Sequence, residues 1–199
     1  YTYVAEILKA QGNLQASQKF YEIAQDMFQH ILKDYPNEKK YHIDLSIAFR
    51  KIGELKLNQG NLIEASKSFE SSLKLVKQLV ENDPSDMNNQ YALSCAYSSF
   101  ADIKSLQGDD KISLNLYNSA VEIMERIIKV DPNNLVWESD VCSMYNRIGG
   151  IYLRHGQPDI ALESYLSGMS IIKKLSEIDH SNTRWRHQLC ISYDRIGDV

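Results

Sequence analysis

Gly12, Gly60, Gly108 and Gly156 stand 48 residues apart in related phrases: Gln11-Gly12-Asn13-Leu14, Gln59-Gly60-Asn61-Leu62, Gln107-Gly108-Asp109-Asp110 and His155-Gly156-Gln157-Pro158. Pro36, Pro84 and Pro132 keep the same interval, and His180 occupies the place of a fourth proline. A fixed period of this size means one supersecondary unit stacked many times, because no single unit can bury its apolar face alone. Such a stack grows by nearest-neighbour contacts and has no closed core. The 199 residues therefore read as one array, with units of about 1–37, 38–85, 86–133 and 134–181 and a partial unit at 182–199. Arrays of this kind present extended binding surfaces rather than catalytic clefts.

Within each unit the apolar residues recur at helical spacing. Leu62, Ala65, Phe69, Ser72, Leu73, Val76 and Leu79 share one face of a helix. Asn61 is placed to cap it, with Glu64 three residues on in a capping-box-like pattern. Pro84 ends it, and Asp83 before the proline is pushed out of the helical region. A second helix follows, carrying Tyr91, Leu93, Ala96, Tyr97, Phe100, Ile103 and Leu106, and Gly108 supplies the left-handed residue that closes it. Pro158 falls at a first helical position, where its missing N–H does no harm. Carried along the chain, the pattern predicts helices near 1–11, 13–34, 38–59, 61–82, 86–107, 110–130, 134–155, 158–178 and 182–199. Short connections make neighbours antiparallel.

Phe49, Ile52, Gly53, Gly60, Ala65, Phe69 and Ser72 reproduce the spacing of the tetratricopeptide repeat signature. The same columns return as Tyr97, Phe100, Ala101, Gly108, Ser113, Tyr117 and Ala120, and as Tyr145, Ile148, Gly149, Gly156, Ala161, Tyr165 and Gly168. Tyr1, Val4, Ala5, Gly12, Ser17, Tyr21 and Ala24 precede them, and a shortened Tyr193, Ile196, Gly197 follows. The chain thus resembles the tetratricopeptide repeat family over its whole length. The resemblance implies an all-α, right-handed superhelical solenoid of antiparallel helix pairs, about nine helices in all.

The common form of that repeat has about 34 residues, so this one carries 14 more, seven before the aromatic column and seven before the proline. Seven residues are close to two helical turns, which lengthens each helix without rotating its buried face. The sequence looks like the long-helix variant common in bacterial multidomain proteins, in which a Trp precedes the glycine phrase. Trp137 and Trp185 match that Trp, Tyr41 replaces it, and Asn89 does not match. The third unit is therefore expected to pack differently there, with Tyr91 compensating. The small column Ala5, Gly53, Ala101, Gly149, Gly197 is read as a close approach between paired helices. The aromatic column Tyr1, Phe49, Tyr97, Tyr145, Tyr193 is read as packing that governs stability, each buried ring being worth about 1.5–3 kcal/mol.

A formal net charge of −4 argues against nucleic acid, whose phosphates call for a basic surface. No apolar run approaches the ~18 residues of a membrane span. Cys95, Cys142 and Cys190 fall near the same point of the repeat and form no CxxC pair, which fits small, buried or half-buried thiols in a reducing, cytoplasmic setting. The five histidines fall in different columns and make no zinc-helix pattern. His187 and Cys190, three apart, lack further ligands for a metal. No nucleophile, base and orienting acid come together in the pattern. The expectation is a non-enzyme with no cofactor and no metal. The chain opens at Tyr1 without methionine, and both ends cut through a repeat, which reads as a fragment of a longer protein.

Carried over by column, the resemblance lines a concave groove with Thr2, Tyr3, Glu6 and Lys9, then Arg50, Lys51, Glu54 and Asn58. Ser98, Ser99, Asp102 and Ser105 follow, then Asn146, Arg147 and Arg154, and finally Asp194, Arg195 and Asp198. An alternative gives these charges a structural task. Arg50–Glu54, Lys51–Glu54 and Arg195–Asp198 are helical pairs, and basic and acidic residues alternate from unit to unit like a ladder between stacked helices. A carboxylate clamp of Lys, Asn and Arg is disfavoured, because Asp102 adds a repelling charge beside Asn146 and Arg147. The leading functional expectation is a scaffold binding a protein or peptide in the groove, with no nucleic acid and no membrane as partner. A spacer or self-association module working through the repeat ends stands beside it, as does a regulatory array of a fused enzyme.

Overall fold

A computed structural model describes all 199 residues. It contains nine α-helices and no strand: α1 Thr2–Ala10, α2 Leu14–Asp34, α3 Lys39–Asn58, α4 Leu62–Asn82, α5 Met87–Leu106, α6 Asp110–Val130, α7 Leu135–Arg154, α8 Pro158–Ile178 and α9 Thr183–Gly197. Their ends fall within one or two residues of the expected ones because the punctuation is local. Gly12, Gly60, Gly108 and Gly156 all have positive φ, between 67° and 85°, and no other residue does. Asn13 and Asn61 cap α2 and α4, their side chains accepting from Ala16 N and Glu64 N at 3.2 Å. The capping box is only half made. Glu64 turns to Lys56 at 2.9 Å, and the Asn61 N–H goes to the Lys56 carbonyl instead.

The chain divides into two compact units, residues 1–109 with α1–α5 and residues 110–199 with α6–α9. In the first, each helix packs on the next, and α3 also touches α5. Ala5, Tyr21, Ile52 and Leu55 make one buried cluster, and Ala65, Phe69 and Ile103 another. In the second, α6 through α9 pack in sequence and α7 also touches α9. There Cys142, Ile172, Leu175 and Trp185 form a buried cluster, with Leu135, Ile171 and Leu189 packed against it.

The small column acts as expected at Gly53 and Gly149. A Cβ there would stand 2.7 Å from the Phe69 ring and 2.5 Å from the Tyr165 ring. Gly197, in the same column, meets nothing within 4 Å. The aromatic column departs from expectation. Tyr1 and Tyr193 are more than half exposed and Phe49, Tyr97 and Tyr145 are half buried, whereas Tyr21, Tyr117 and Tyr165 are 0–1% exposed and Phe69 is 2% exposed. The rings of the second helix in each pair lie between neighbouring helices, so they hold the core. Those of the first helix reach its edge, where Lys77 sits over the Tyr97 ring and Tyr145 donates to Glu125 at 3.3 Å. Of the cysteines, Cys142 is buried and Cys95 half buried, but Cys190 is exposed.

Candidate partner-binding surfaces

The polar columns of α1 and α3 meet in the first unit. Lys9 reaches Glu54 at 3.0 Å across the two helices, and Lys51 reaches Glu6 at 3.0 Å. Within α3, Arg50 and Lys51 hold Glu54 at 3.0 and 3.4 Å. Tyr21 of α2 donates to Glu6 at 2.6 Å. Burial alone raises the Glu6 carboxyl, but the Tyr21 hydroxyl and Lys51 outweigh it and hold it below the ordinary range. The same contact acts in reverse on Tyr21, whose phenol is pushed up first by burial and then by Glu6. Glu6, Arg50, Lys51 and Glu54 are thus engaged with one another, whereas Tyr3 is 85% exposed and Asn58 stands exposed at the end of α3. Ser98 and Asp102 are half buried on α5.

The second unit uses other chemistry at the corresponding seam. Ser139 of α7 donates to Gln188 of α9 at 2.8 Å, and Gln188 donates back to Ser143 at 2.9 Å. Asn146 reaches Cys142 Sγ at 3.8 Å and Ser192 Oγ at 3.5 Å, while its Oδ1 is buried without a partner. Burial pushes the Cys142 thiol up to about 11, so it stays protonated at neutral pH. Arg154 turns instead to the start of α6, meeting Asp110 at 2.9 Å beside His155. Asn146 and Arg154 therefore serve different contacts and do not converge on one carboxylate. Arg147 is exposed, as is Arg195, which makes no salt bridge to Asp198. At the end of a helix that pair gains too little to hold two mobile side chains together. The Ser139–Gln188–Ser143 network was not visible in the sequence. Its residues lie 45 and 49 positions apart, and nothing in the helical period marks a serine as a bridging group.

A cavity of about 540 Å³ lies in the first unit between the N-terminal halves of α3 and α5. Ile43, Asp44, Ser46, Ile47, Tyr91 and Ala92 line it, and of the expected groove residues only Arg50 does. These are the turns that the seven-residue extension adds before the aromatic column. Asp44 makes no salt bridge, and burial raises its carboxyl above the ordinary range although Lys40 lowers it in part. Asn89, fully buried, donates weakly to the Leu79 carbonyl at 3.5 Å, and its Oδ1 has no partner. Tyr91 does not replace the missing Trp in the core. It is half buried and forms part of the cavity wall.

His187 and Cys190 are both exposed on α9, and no three His, Cys, Asp or Glu side chains are grouped to hold a metal ion. No helix is long and apolar enough to cross a membrane.

No protein-family model matches the sequence, and no curated protein is significantly similar to it. Solved structures are similar in fold. BtubC (BKLC) from P. vanneervenii matches 98% of this chain and 70% of its own, at 18% identity and a TM-score of 0.65. A single-substitution form of the nearly identical TPR-like repeats of a kinesin-light-chain-like protein from Podosopora anserina matches 99% of this chain and 85% of its own, at 14% identity and a TM-score of 0.63. The structure of those repeats without the substitution gives 16% identity and a TM-score of 0.59 over the same shares. The fold is therefore that of a TPR-like helical repeat.

Proposed function

We propose that the chain is a non-catalytic scaffold that binds a peptide or partner protein along the polar columns of the first helix in each pair. The candidate contacts are Tyr3, Glu6, Arg50, Lys51, Glu54, Asn58, Ser98, Asp102, Asn146, Arg147, Arg154 and Arg195. One observation carries this reading: the packing columns keep their residue types from unit to unit, whereas a polar column beside them reads Thr2, Arg50, Ser98, Asn146 and Asp194, different in every unit. A TPR-like repeat supports a protein-interaction role in general. Tyr3, Asn58 and Arg195 make no hydrogen bond or salt bridge within the fold, Arg195 feeling only the nearby Tyr165 hydroxyl, so they meet a partner at little internal cost. The paired charges around Glu54 must first give up their own contacts, each worth about 0.2–1 kcal/mol when exposed.

The test is a pull-down with the parent and with Arg50, Lys51, Asn146 and Arg147 changed together to Ala. Loss of specific partners is expected. Identical partner lists would remove these columns from consideration.

A second reading, self-association, rests on α1. Tyr3, Val4 and Ile7 on that helix are 85%, 41% and 57% exposed, a run of large apolar side chains. Sedimentation over a range of concentrations separates the two readings, since a strict monomer at high concentration excludes self-association.

A further inference from the structure

The cavity between α3 and α5 borders a place that the chain fills elsewhere with its own tryptophan. Trp185 stands third in α9, as Asn89 stands third in α5, and it is 8% exposed among Cys142, Leu135, Ile172 and Leu175. Two repeats earlier the residues in the places of Cys142, Leu135, Ile172 and Leu175 are Ser46, Lys39, Val76 and Leu79; Ser46 and Lys39 line the cavity, while Val76 and Leu79 are buried outside its lining. In the place of Trp185 stands Asn89, whose side chain is too short to fill the slot and is sealed into the floor beneath it. What remains above is an opening within the ~300–1,000 Å³ range of ligand pockets.

The walls limit what enters. Ile43, Ile47, Tyr91 and Ala92 offer apolar surface to a flat ring. The charged lining balances, with Glu38, Asp44 and Asp86 against Lys39, Lys40 and Arg50, so a charged guest gains nothing from the net charge. Lys39 is held by Asp83 and Asp86, Asp86 also caps α5, and Arg50 is held by Glu54. Asp44 alone among the half-buried carboxylates of the lining makes no hydrogen bond or salt bridge, and feels only the charge of Lys40 one helical turn before it, so its oxygens can accept from a guest. A neutral aromatic ring with one N–H answers both features.

We propose that this pocket takes the indole of a tryptophan side chain from a partner peptide, its ring filling the vacated slot and its N–H donated to the Asp44 carboxylate. The proposal rests on the reading of the chain as a peptide-binding scaffold and assigns one specificity pocket to it.

The experiment titrates N-acetyl-tryptophanamide into the 199-residue protein and follows the backbone amides of Ile43, Tyr91 and Ala92 by ¹H–¹⁵N NMR. Saturable shifts at these amides are expected. They should vanish in Asn89→Trp, which fills the slot from within, and in Ala92→Phe, which fills it from the wall and serves if Asn89→Trp does not fold. Asp44→Ala should weaken binding about three- to tenfold, the loss of one net hydrogen bond. Unmoved amides at millimolar ligand, undiminished binding in both filled variants, or equal binding of N-acetyl-argininamide would each overturn the proposal. Its failure is distinguishable from failure of the scaffold reading. A partner lost on changing Arg50, Lys51, Asn146 and Arg147 but retained by Asn89→Trp leaves the scaffold standing and removes the pocket.

Discussion

The seams between alternate helices differ in kind between the two units. Between α1 and α3 the contact is ionic: Lys9 to Glu54 and Lys51 to Glu6, both at 3.0 Å. Between α7 and α9 it is neutral, with Gln188 bridging Ser139 and Ser143 and Asn146 turned to Ser192. The third position of the first helix also differs, for Trp185 closes the slot in one unit and Asn89 leaves it open in the other. Yet the packing beneath is alike, since Gly53 faces Phe69 as Gly149 faces Tyr165. The repeat tolerates either seam because stacking energy resides in the buried rings and aliphatic residues, and the polar seam only has to be satisfied. That leaves the seam chemistry free to vary from one repeat to the next.

The largest effect should come from the slot. Trp185→Ala is expected to destabilise by about 3–5 kcal/mol, by lost burial and a new cavity. Asn89→Trp should raise the melting temperature, because it buries a large ring where Trp185 shows one fits. Equal or lower stability for Asn89→Trp, by thermal or urea unfolding, would show that the two slots are not equivalent. Double-mutant cycles test the seams next. The Ser139–Gln188 pair should couple by about 0.5–1.5 kcal/mol, with little change between 0.05 and about 1 M salt, as its groups are uncharged. The Lys9–Glu54 pair should couple by about 0.2–1 kcal/mol at low salt and lose most of that at high salt. Equal salt dependence at both seams would erase the contrast.

The smallest effect is acid sensitivity in the first unit. The folded carboxyl of Glu6 lies below its ordinary value of 4.5, so its contribution is fully present above that value and lost as pH falls through the folded one. Glu6→Gln should flatten that loss on the acid side of pH 4.5. Asp44 has the opposite sign. Its raised carboxyl favours the fold below its ordinary 3.8, and that advantage is lost as pH rises through the folded value. Asp44→Asn should therefore hold or slightly raise stability at neutral pH, and a clear loss there would mean that the carboxylate has a partner in the fold.

Nearly all of the helix map was legible beforehand, because Gly60, Asn61 and Pro84 act on their own backbone and need no distant neighbour. Burial was legible for the second helix of each pair, where Tyr21, Phe69, Tyr117 and Tyr165 sit at fixed spacing. It was misjudged for the first, where Phe49 and Tyr97 share the period but stop at the edge, since periodicity gives a face and not the depth of cover. The ionic rungs at Glu54 were foreseen in part, as its partners Arg50 and Lys51 lie within one helical turn. The neutral bridge through Gln188 was not, because a glutamine and two serines announce no pairing.

The sequence by itself determined the repeat, the helix ends and the glycine approaches at Gly53 and Gly149, all set by local backbone preference and a 48-residue period. Tertiary structure alone decided which polar columns close on one another and which stay open. Lys9 meets Glu54 across 45 residues, and the space above Asn89 depends on Ser46 and Lys39 from the preceding repeat. Such contacts arise only when helices distant in sequence are brought side by side. Only then does an asparagine in the column of Trp137 and Trp185 border a pocket.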